Sequence, residues 1–569
     1  MNMEPDIPIS NRGIDIKPND RLTELPNEIF SFILSFLSIR DAVKARVLSR
    51  RCRHVFPSIV YLEFDLHSVL GTNYKGRHSN EDSDISSEAQ AKFAAGVDQF
   101  FEIYKGEKIN SLRICFALGN EHACYVDRWI AFAIRRNTEK LDLDFSANQI
   151  NSFHYFPGQL LPETLYDFPC QLLPEANTSQ LKHLYLNSCN LRPAPHHVGR
   201  LTPLKTLDLE NMVLDQSSAK SIFSGFLNLE WLRLKNISLP ETFCIDAPSL
   251  HLETLILHDC YGVNKIEVSS IGLTTFEYIG RVKSFTFLNV PQLEKVHIRF
   301  MCAYLNGTQY MFNGLANDLP QLQTLSLVLT TVELLPVPTS ISRFNHLKQL
   351  ELFVMKSSDF DLLSLTSLLN AAPLLQKFHV SVSHQNLSYE VMRKRRGVIV
   401  ILILGYLGLR IIVLELSFDQ PLIDLGLGRN PVIVDCRRQY IDNRLSSPTP
   451  VIADAFHHRH CASLLTALYW GRFTGPRREQ LYSKHVHFQL KEVEVLGFLG
   501  DSDEMELAIY VLNNAVSLER MILSPQRRLY HGGGKWTSSM CYSFRWEPKQ
   551  AYDLLIKEKV NSHTNLIVS

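Results

Sequence analysis

The chain has 569 residues, of which 45% are hydrophobic and 20% charged, and its 58 Lys and Arg balance 58 Asp and Glu. That length exceeds what one hydrophobic core usually organises, so several domains or a repeat array growing along one axis are expected. The even charge excludes a strong pull towards nucleic acid or an anionic membrane, so partners must be sought on local surfaces.

Residues 1–19 carry acidic groups and no apolar stretch long enough for a secretory signal, and read as a disordered tail on a protein of the nucleus or cytoplasm. Eleven cysteines without a CxxC pair or regular spacing fit neither a disulfide framework nor a structural zinc site, and read as small buried hydrophobes.

Residues 20–66 are punctuated as short helices. Pro26 suits a first helical position, where a missing N–H costs nothing, and Asn27 and Glu28 place polar and acidic groups in the first turn. Ser38 with Asp41 resembles a capping box at the next helix start. Ile29, Phe30, Phe32, Ile33, Leu34, Phe36 and Leu37 are apolar, more than one amphipathic stripe requires. A module of roughly 40 residues cannot bury that much surface alone, so a partner protein is expected to cover it. The basic residues Lys44, Arg46, Arg50, Arg51 and Arg53 read as a solvated face. A linker and connecting helix are expected over 67–105.

Residues 106–390 repeat. The motif LxxLxL is clearest from Leu181, Leu204, Leu229 and Leu252, in steps of 23, 25 and 23 residues, within the period of leucine-rich repeats. Weaker copies begin at Leu273, Leu293, Leu322, Leu347 and Leu375, with an earlier one at Thr138. Cys189 and Cys260 fall three positions beyond their motif's last leucine, where such repeats favour Cys or Asn. The motif predicts an α/β solenoid of parallel strands with leucines inward, and side chains alternating to an outward, concave face. That face includes His183, Tyr185, Asp208, Glu210, Trp231, Arg233, Thr254, His258, His297 and Arg299, a mixture of aromatic and charged groups suited to gripping a protein. His183, Tyr185, Asp208, Trp231, Arg233, His297 and Arg299 are the candidate substrate-binding residues.

Leu25-Pro26, Glu28-Ile29, Ile33-Leu34, Phe36-Leu37, Asp41-Ala42 and Leu48-Ser49-Arg50-Arg51 resemble an F-box. Together with the repeats and the stretch from Phe488 to Pro525, they resemble the plant F-box proteins that carry leucine-rich repeats and an FBD segment. The resemblance implies an all-α module that binds the Skp-type adaptor of cullin-RING ubiquitin ligases through Leu25, Pro26, Ile29, Ile33, Leu34, Leu37 and Leu48. It also implies repeats that hold a target protein, and no catalytic residue or cofactor of its own. Cys52 stands where that family commonly has Trp. A repeat scaffold that never joins a ligase is the other reading.

Residues 391–485 interrupt the pattern and look inserted: a buried strand pair, sequence without native structure, or translated non-coding sequence. The apolar run from Val398 to Leu409 is twelve residues long, too short to span a bilayer. His457, His458, His460 and Cys461, with His485 and His487 further on, lack the spacing of a known zinc site. Residues 486–530 read as strand, turn at Gly497 to Asp501, helix and strand, expected to cap the solenoid before a tail over 531–569. In that tail His531-Gly532-Gly533-Gly534-Lys535 lacks the glycine spacing of a P-loop and the nucleophile elbow of an esterase, so a flexible turn is preferred to a hydrolase.

Overall fold

The computed structural model describes residues 25–35, 37, 39–48, 50–55, 60–71, 87–146, 165–225, 227–246, 251–281, 283–300, 310–330, 341–356, 360–384, 398–405, 408–415, 485–530, 536–539, 548–558 and 563–569. The expected N-terminal tail, Ser38, most of the inserted segment with its histidines and Cys461, and the His531–Lys535 turn lie outside the described residues. The chain divides into two units, Met1–Leu293 and Glu294–Ser569.

Unit 1 opens with three short helices, α1 (Asn27–Ser35), α2 (Ile39–Leu48) and α3 (Arg50–Val55). The carbonyl of Pro26 accepts the first hydrogen bond of α1, from the Phe30 amide at 3.0 Å. Strand β1 (Tyr61–Asp65), helices α4 (Leu66–Leu70) and α5 (Ser87–Ile103), β2 (Ser111–Cys115), α6 (Ala123–Ile134) and β3 (Lys140–Asp144) follow. Next come β4 (Tyr166–Asp167), β5 (His183–Asn187), β6 (Cys189–Asn190), β7 (Thr206–Val213), α7 (Gln216–Gly225) and β8 (Trp231–Ser238). The unit ends with β9 (Thr242–Asp246), β10 (Thr254–His258), β11 (Lys265–Ser269), β12 (Thr275–Gly280) and β13 (Ser284–Asn289).

Its main sheet takes the strands in the order β1, β2, β3, β5, β7, β8, β10, β12, all parallel and one per repeat. The register aligns the motif leucines into rows: Leu184 faces Leu207, which faces Leu232, which faces Leu255. These side chains are buried, so each contributes the order of 1.5–3 kcal/mol expected of a sequestered leucine. The turn that ends each rung is equally periodic. Ser188, Asn211, Asn236 and Asp259, each seven residues after its motif's first leucine, have φ between 51° and 57°. Small polar side chains tolerate this left-handed conformation because they bond locally. One residue later sits a buried group, Cys189, Met212, Ile237 and Cys260 in turn, which gives the two cysteines the packing role expected of them. Where the early repeats return through helices α6 and α7, the later ones return through β9, β11 and β13, a small parallel sheet. Its Phe285 packs edge-on against Phe276 and Tyr278 of β12.

Unit 2 contains β14 (Lys295–Phe300), α8 (Leu315–Asp318), β15 (Thr324–Thr330), β16 (Gln349–Lys356), α9 (Thr366–Ala371), β17 (Lys377–His384), β18 (Val398–Gly405) and β19 (Gly408–Glu415). After these come β20 (Glu492–Leu496), α10 (Ser502–Asn514), β21 (Arg520–Ser524), β22 (Arg527–Tyr530), β23 (Trp536–Ser539), α11 (Pro548–Glu558) and β24 (Asn565–Val568). Its parallel sheet runs β14, β15, β16, β17, β20, β21, β24. Here β17 pairs directly with β20, Lys377 opposite Glu492 and Val380 opposite Val495, although 115 residues separate the two starts. The steps from β16 to β17 and from β20 to β21 are 28 residues each. The amide-to-carbonyl bond that links successive rungs, Gln376 to Lys348, recurs unbroken from Lys491 to Gln376 at 2.9 Å. The apolar run inside the interruption folds as an antiparallel hairpin of β18 and β19.

Gly497 turns the chain between β20 and α10 at φ 69°, and a Cβ there would collide with the Val382 carbonyl oxygen, so no other residue fits. The 486–530 segment is strand, turn, helix and strand as expected, but it is not the last layer. The tail adds β24 alongside β21 through the Asn565 amide and Glu519 carbonyl at 2.8 Å. The tail therefore covers the edge that this segment alone would leave open.

Candidate functional site

Two surfaces of unit 1 carry the side chains singled out in the sequence. In the helical module, Phe30, Leu34, Ala42 and Ala45 close a small core. Arg51 of α3 ties that core to the start of α1: its guanidinium donates to the Leu25 carbonyl and to Asn27 Oδ1, and lies 4.7 Å from the centre of the Phe30 ring. The expectation of a wholly solvated basic face holds for Lys44, paired with Asp41 at 3.1 Å, and for exposed Arg50 and Arg53, but not for half-buried Arg51. Because the core is so small, α1 cannot turn all its apolar residues inward. Ile29 is 48%, Phe32 62% and Leu37 40% exposed, and Pro26 is exposed beside them. Leu25 and Ile33 are half-buried at the margin. Leu34 is a correction: it is buried in the module, so it shapes this surface instead of forming it. The side chain of Leu48 lies outside the described residues. Phe32 was missed among the candidates although its neighbours were named, because residues Ile29, Ile33 and Leu37 were chosen at helical spacing and Phe32 lies off that line.

The second surface is the side of the unit 1 sheet opposite the leucines. Parallel register sets its side chains in rows: Glu63, Arg113, Asp142, Tyr185, Asp208 and Arg233 form the middle row, flanked by Lys140, His183, Thr206 and Trp231 on one side and Asp144, Asn187, Glu210 and Lys235 on the other. Five candidates, His183, Tyr185, Asp208, Trp231 and Arg233, are thereby neighbours. Arg233 grips Asp208 with two bonds of 2.8 Å, and Lys235 holds Glu210 at 2.6 Å. Burial raises the Asp208 carboxyl while Arg233 opposes that shift. The Tyr185 hydroxyl donates to Glu210 at 3.3 Å and accepts from Asn187 at 3.2 Å, and burial pushes the phenol's pKa well up. His183 bonds Thr206 at 2.8 Å, and burial with the neighbouring lysines lowers its pKa. His258, expected outward, is buried against Glu277 at 2.5 Å.

His297 and Arg299 belong to unit 2, on β14, where His297 is buried and Arg299 half-buried. The densest charged group of that unit is elsewhere. Lys356 Nζ lies 2.6 Å from Asp503, 3.4 Å from Asp501 and 3.9 Å from Glu504, and His384 Nε2 lies 3.0 Å from Glu504. Glu504 also accepts the amides of Leu499 and Gly500 at 2.8 Å, closing the start of α10. Burial alone would lower the Lys356 pKa, but the three carboxylates together raise it. His384, Asp501 and Glu504 could converge on a cation, yet the Lys356 ammonium already supplies that charge, so the group reads as an internal ionic clamp. His487 packs on Tyr510 at 3.2 Å, and burial with His485 lowers its pKa to about 4.

Asp142, Arg113, Glu63 and Lys235 were not singled out, although the alternation around Leu112, Leu141 and Leu232 was a signal that could have found them. Among the described residues no helix is long and apolar enough to cross a membrane.

Comparison with known proteins returns three matching domain families. An F-box domain matches residues 22–60, the family described as "At1g61320/AtMIF1, LRR domain" matches 104–397, and FBD matches 483–523. The F-box/FBD/LRR-repeat protein At3g52680 of Arabidopsis thaliana is 27% identical over 373 residues, 64% of this chain and 72% of that protein. The F-box/FBD/LRR-repeat protein At3g51530 of the same plant is 25% identical over 402 residues, 68% of this chain and 77% of its own length. With the F-box/LRR-repeat protein At5g02910, also from Arabidopsis thaliana, the chain shares 27% identity over 244 residues, 43% of this chain and 44% of that protein. With a leucine-rich-repeat family matching more than half of its length, behind an F-box and ahead of an FBD, the chain belongs to the F-box/FBD/LRR-repeat proteins.

Proposed function

We propose that this protein is a substrate-recognition subunit of an SCF-type cullin-RING ubiquitin ligase, without catalytic residues or cofactor, working in the nucleus or cytoplasm. The helical module would seat a Skp-type adaptor on Pro26, Ile29, Phe32 and Leu37, with Leu25, Ile33, Leu34 and Leu48 shaping and bordering the contact. The repeats would hold a target protein on the sheet face bearing His183, Tyr185, Asp208, Trp231 and Arg233, with His297 and Arg299 of unit 2 as further candidates. Ubiquitin transfer would take place on other subunits, and this chain would act by raising the effective concentration of target lysines near them.

The observation that carries the reading is the exposed apolar row Ile29, Phe32 and Leu37 on a module whose own core is already closed. Aromatic and aliphatic side chains so placed anchor interfaces when a partner desolvates them. Half-buried Cys52, in the place of the usual Trp, favours the second reading, a scaffold that binds proteins outside any ligase.

Co-expression of the full chain with a Skp-type adaptor decides between them. The ligase reading expects a stable complex, and at least a tenfold weaker one for the double variant Ile29→Ala with Phe32→Ala, because losing two interface anchors of about 1–2 kcal/mol each more than suffices for that. Both residues are exposed, so circular dichroism and melting of the variant should match the parent. No complex with the parent chain would leave the scaffold reading.

A further inference from the structure

We propose that the open sheet face of unit 1 recognises a basic segment of its target, with Asp142 receiving a cationic side chain, arginine in preference to lysine. The inference rests on reading that face as the target-binding surface.

The acids of this face are matched from within, with one exception. Asp208 is held by Arg233, Glu210 by Lys235, and Asp144 by the Ser146 hydroxyl at 2.7 Å. Asp142 alternates away from the core leucines Leu141 and Leu143 onto the open side, and is only 7% exposed. Its Oδ1 has no hydrogen-bond partner in the protein, and its Oδ2 stands 3.9 Å from Arg113, too far for a hydrogen bond. A buried carboxylate oxygen left unbonded costs stability, and a ligand that donates to it recovers that cost on binding.

The surroundings select the donor. Glu63 and Asp144 stand close to Asp142, with Arg113 and Lys140 as the opposing charges on the same strands and the next, so an anion would be repelled and a cation drawn in. Directly across on β5 is Tyr185, whose hydroxyl is pinned by Glu210 and Asn187. A fixed aromatic ring beside an acceptor suits a guanidinium, which can stack on the ring while its N–H groups reach the carboxylate; an ammonium offers no plane to stack. Burial raises the Asp142 carboxyl to about 6, so it is charged at neutral pH but held so at a cost to folding.

A test that separates a recognition group from a structural one follows from that cost. A random 12-residue peptide library is selected on the full-length chain, and the recovered peptides are resynthesised and measured by fluorescence anisotropy on the parent and on Asp142→Asn. The proposal expects recovered peptides enriched in arginine, binding at least tenfold weaker to Asp142→Asn, and a higher melting temperature for that variant at pH 7.5. A library that yields no binder or no basic enrichment, or an Asn variant that binds within twofold of the parent, overturns it. So does a lower melting temperature, which would make the carboxylate an internal brace. Adaptor capture by the same proteins reports on the receptor reading separately: arginine-selective binding without adaptor would sink that reading and leave this one standing, and the reverse result the opposite.

Discussion

The two units use carboxylates in opposite ways. In unit 2, Asp501, Asp503 and Glu504 come together around the Lys356 ammonium, which is itself only 8% exposed. Charge is balanced inside the fold, and the group joins β16 to the start of α10 across some 145 residues of sequence. On the open face of unit 1 the acids lie at the surface of the sheet, most are paired with a neighbouring rung, and Asp142 retains an unbonded oxygen. Acid groups that answer one another's charge within the protein hold its architecture, whereas one that is not answered is available to a ligand.

The largest effect that would break this comparison is at the clamp. Lys356→Met should cost about 3–5 kcal/mol in denaturant unfolding, because three buried carboxylates lose their main counter-charge. A loss under 1 kcal/mol would mean the cluster is solvated and no different from the unit 1 face. Next comes His487, whose pKa is lowered to about 4 by burial and by His485. The unfolded chain binds this proton near pH 6.5 and the folded one only near 4, so stability falls as the pH drops between those values. The loss is roughly 3 kcal/mol at most. Asp142 runs the other way, its raised carboxyl making the fold less stable as the pH rises from about 4 to about 6. Urea titrations of the parent and His487→Gln at pH 7 and pH 4.5 should show the acid loss shrinking in the variant. An unchanged loss would point to other groups.

The smallest effect concerns the interruption. Removing 87 residues, 395–481, brings the step from β17 to β20 down to the 28 residues of its neighbours. Since closing a long loop costs only about 0.6 kcal/mol per doubling, the shortened chain should be as stable as the parent or up to about 2 kcal/mol more so. Marked destabilisation would show that the segment is packed into unit 2.

Much of the architecture was legible because a strand's pattern is local. Leu184, Leu186 and their counterparts recur at fixed steps, and alternation then says which side chains face outward. Partnerships across distance were not legible. Nothing near Lys356 marks it as the counter-ion of residues 145 positions away, Arg51 looked like one more solvated cation, and the return strands β9, β11 and β13 carry no leucine motif. Asp142 hid for a related reason: what distinguishes it from Asp144 is the lack of a partner, which depends on where Arg113 and Tyr185 end and not on its own spacing.

The direct pairing of β17 with β20 has a consequence for synthesis. Once β17 has left the ribosome, its outer edge has no neighbour until another 115 residues are made. At about 5–20 residues per second that is a wait of roughly 6–23 s with an unsatisfied row of amides and carbonyls. A nascent unit 2 is therefore most vulnerable to wrong pairing in that interval, and chaperone demand should peak there.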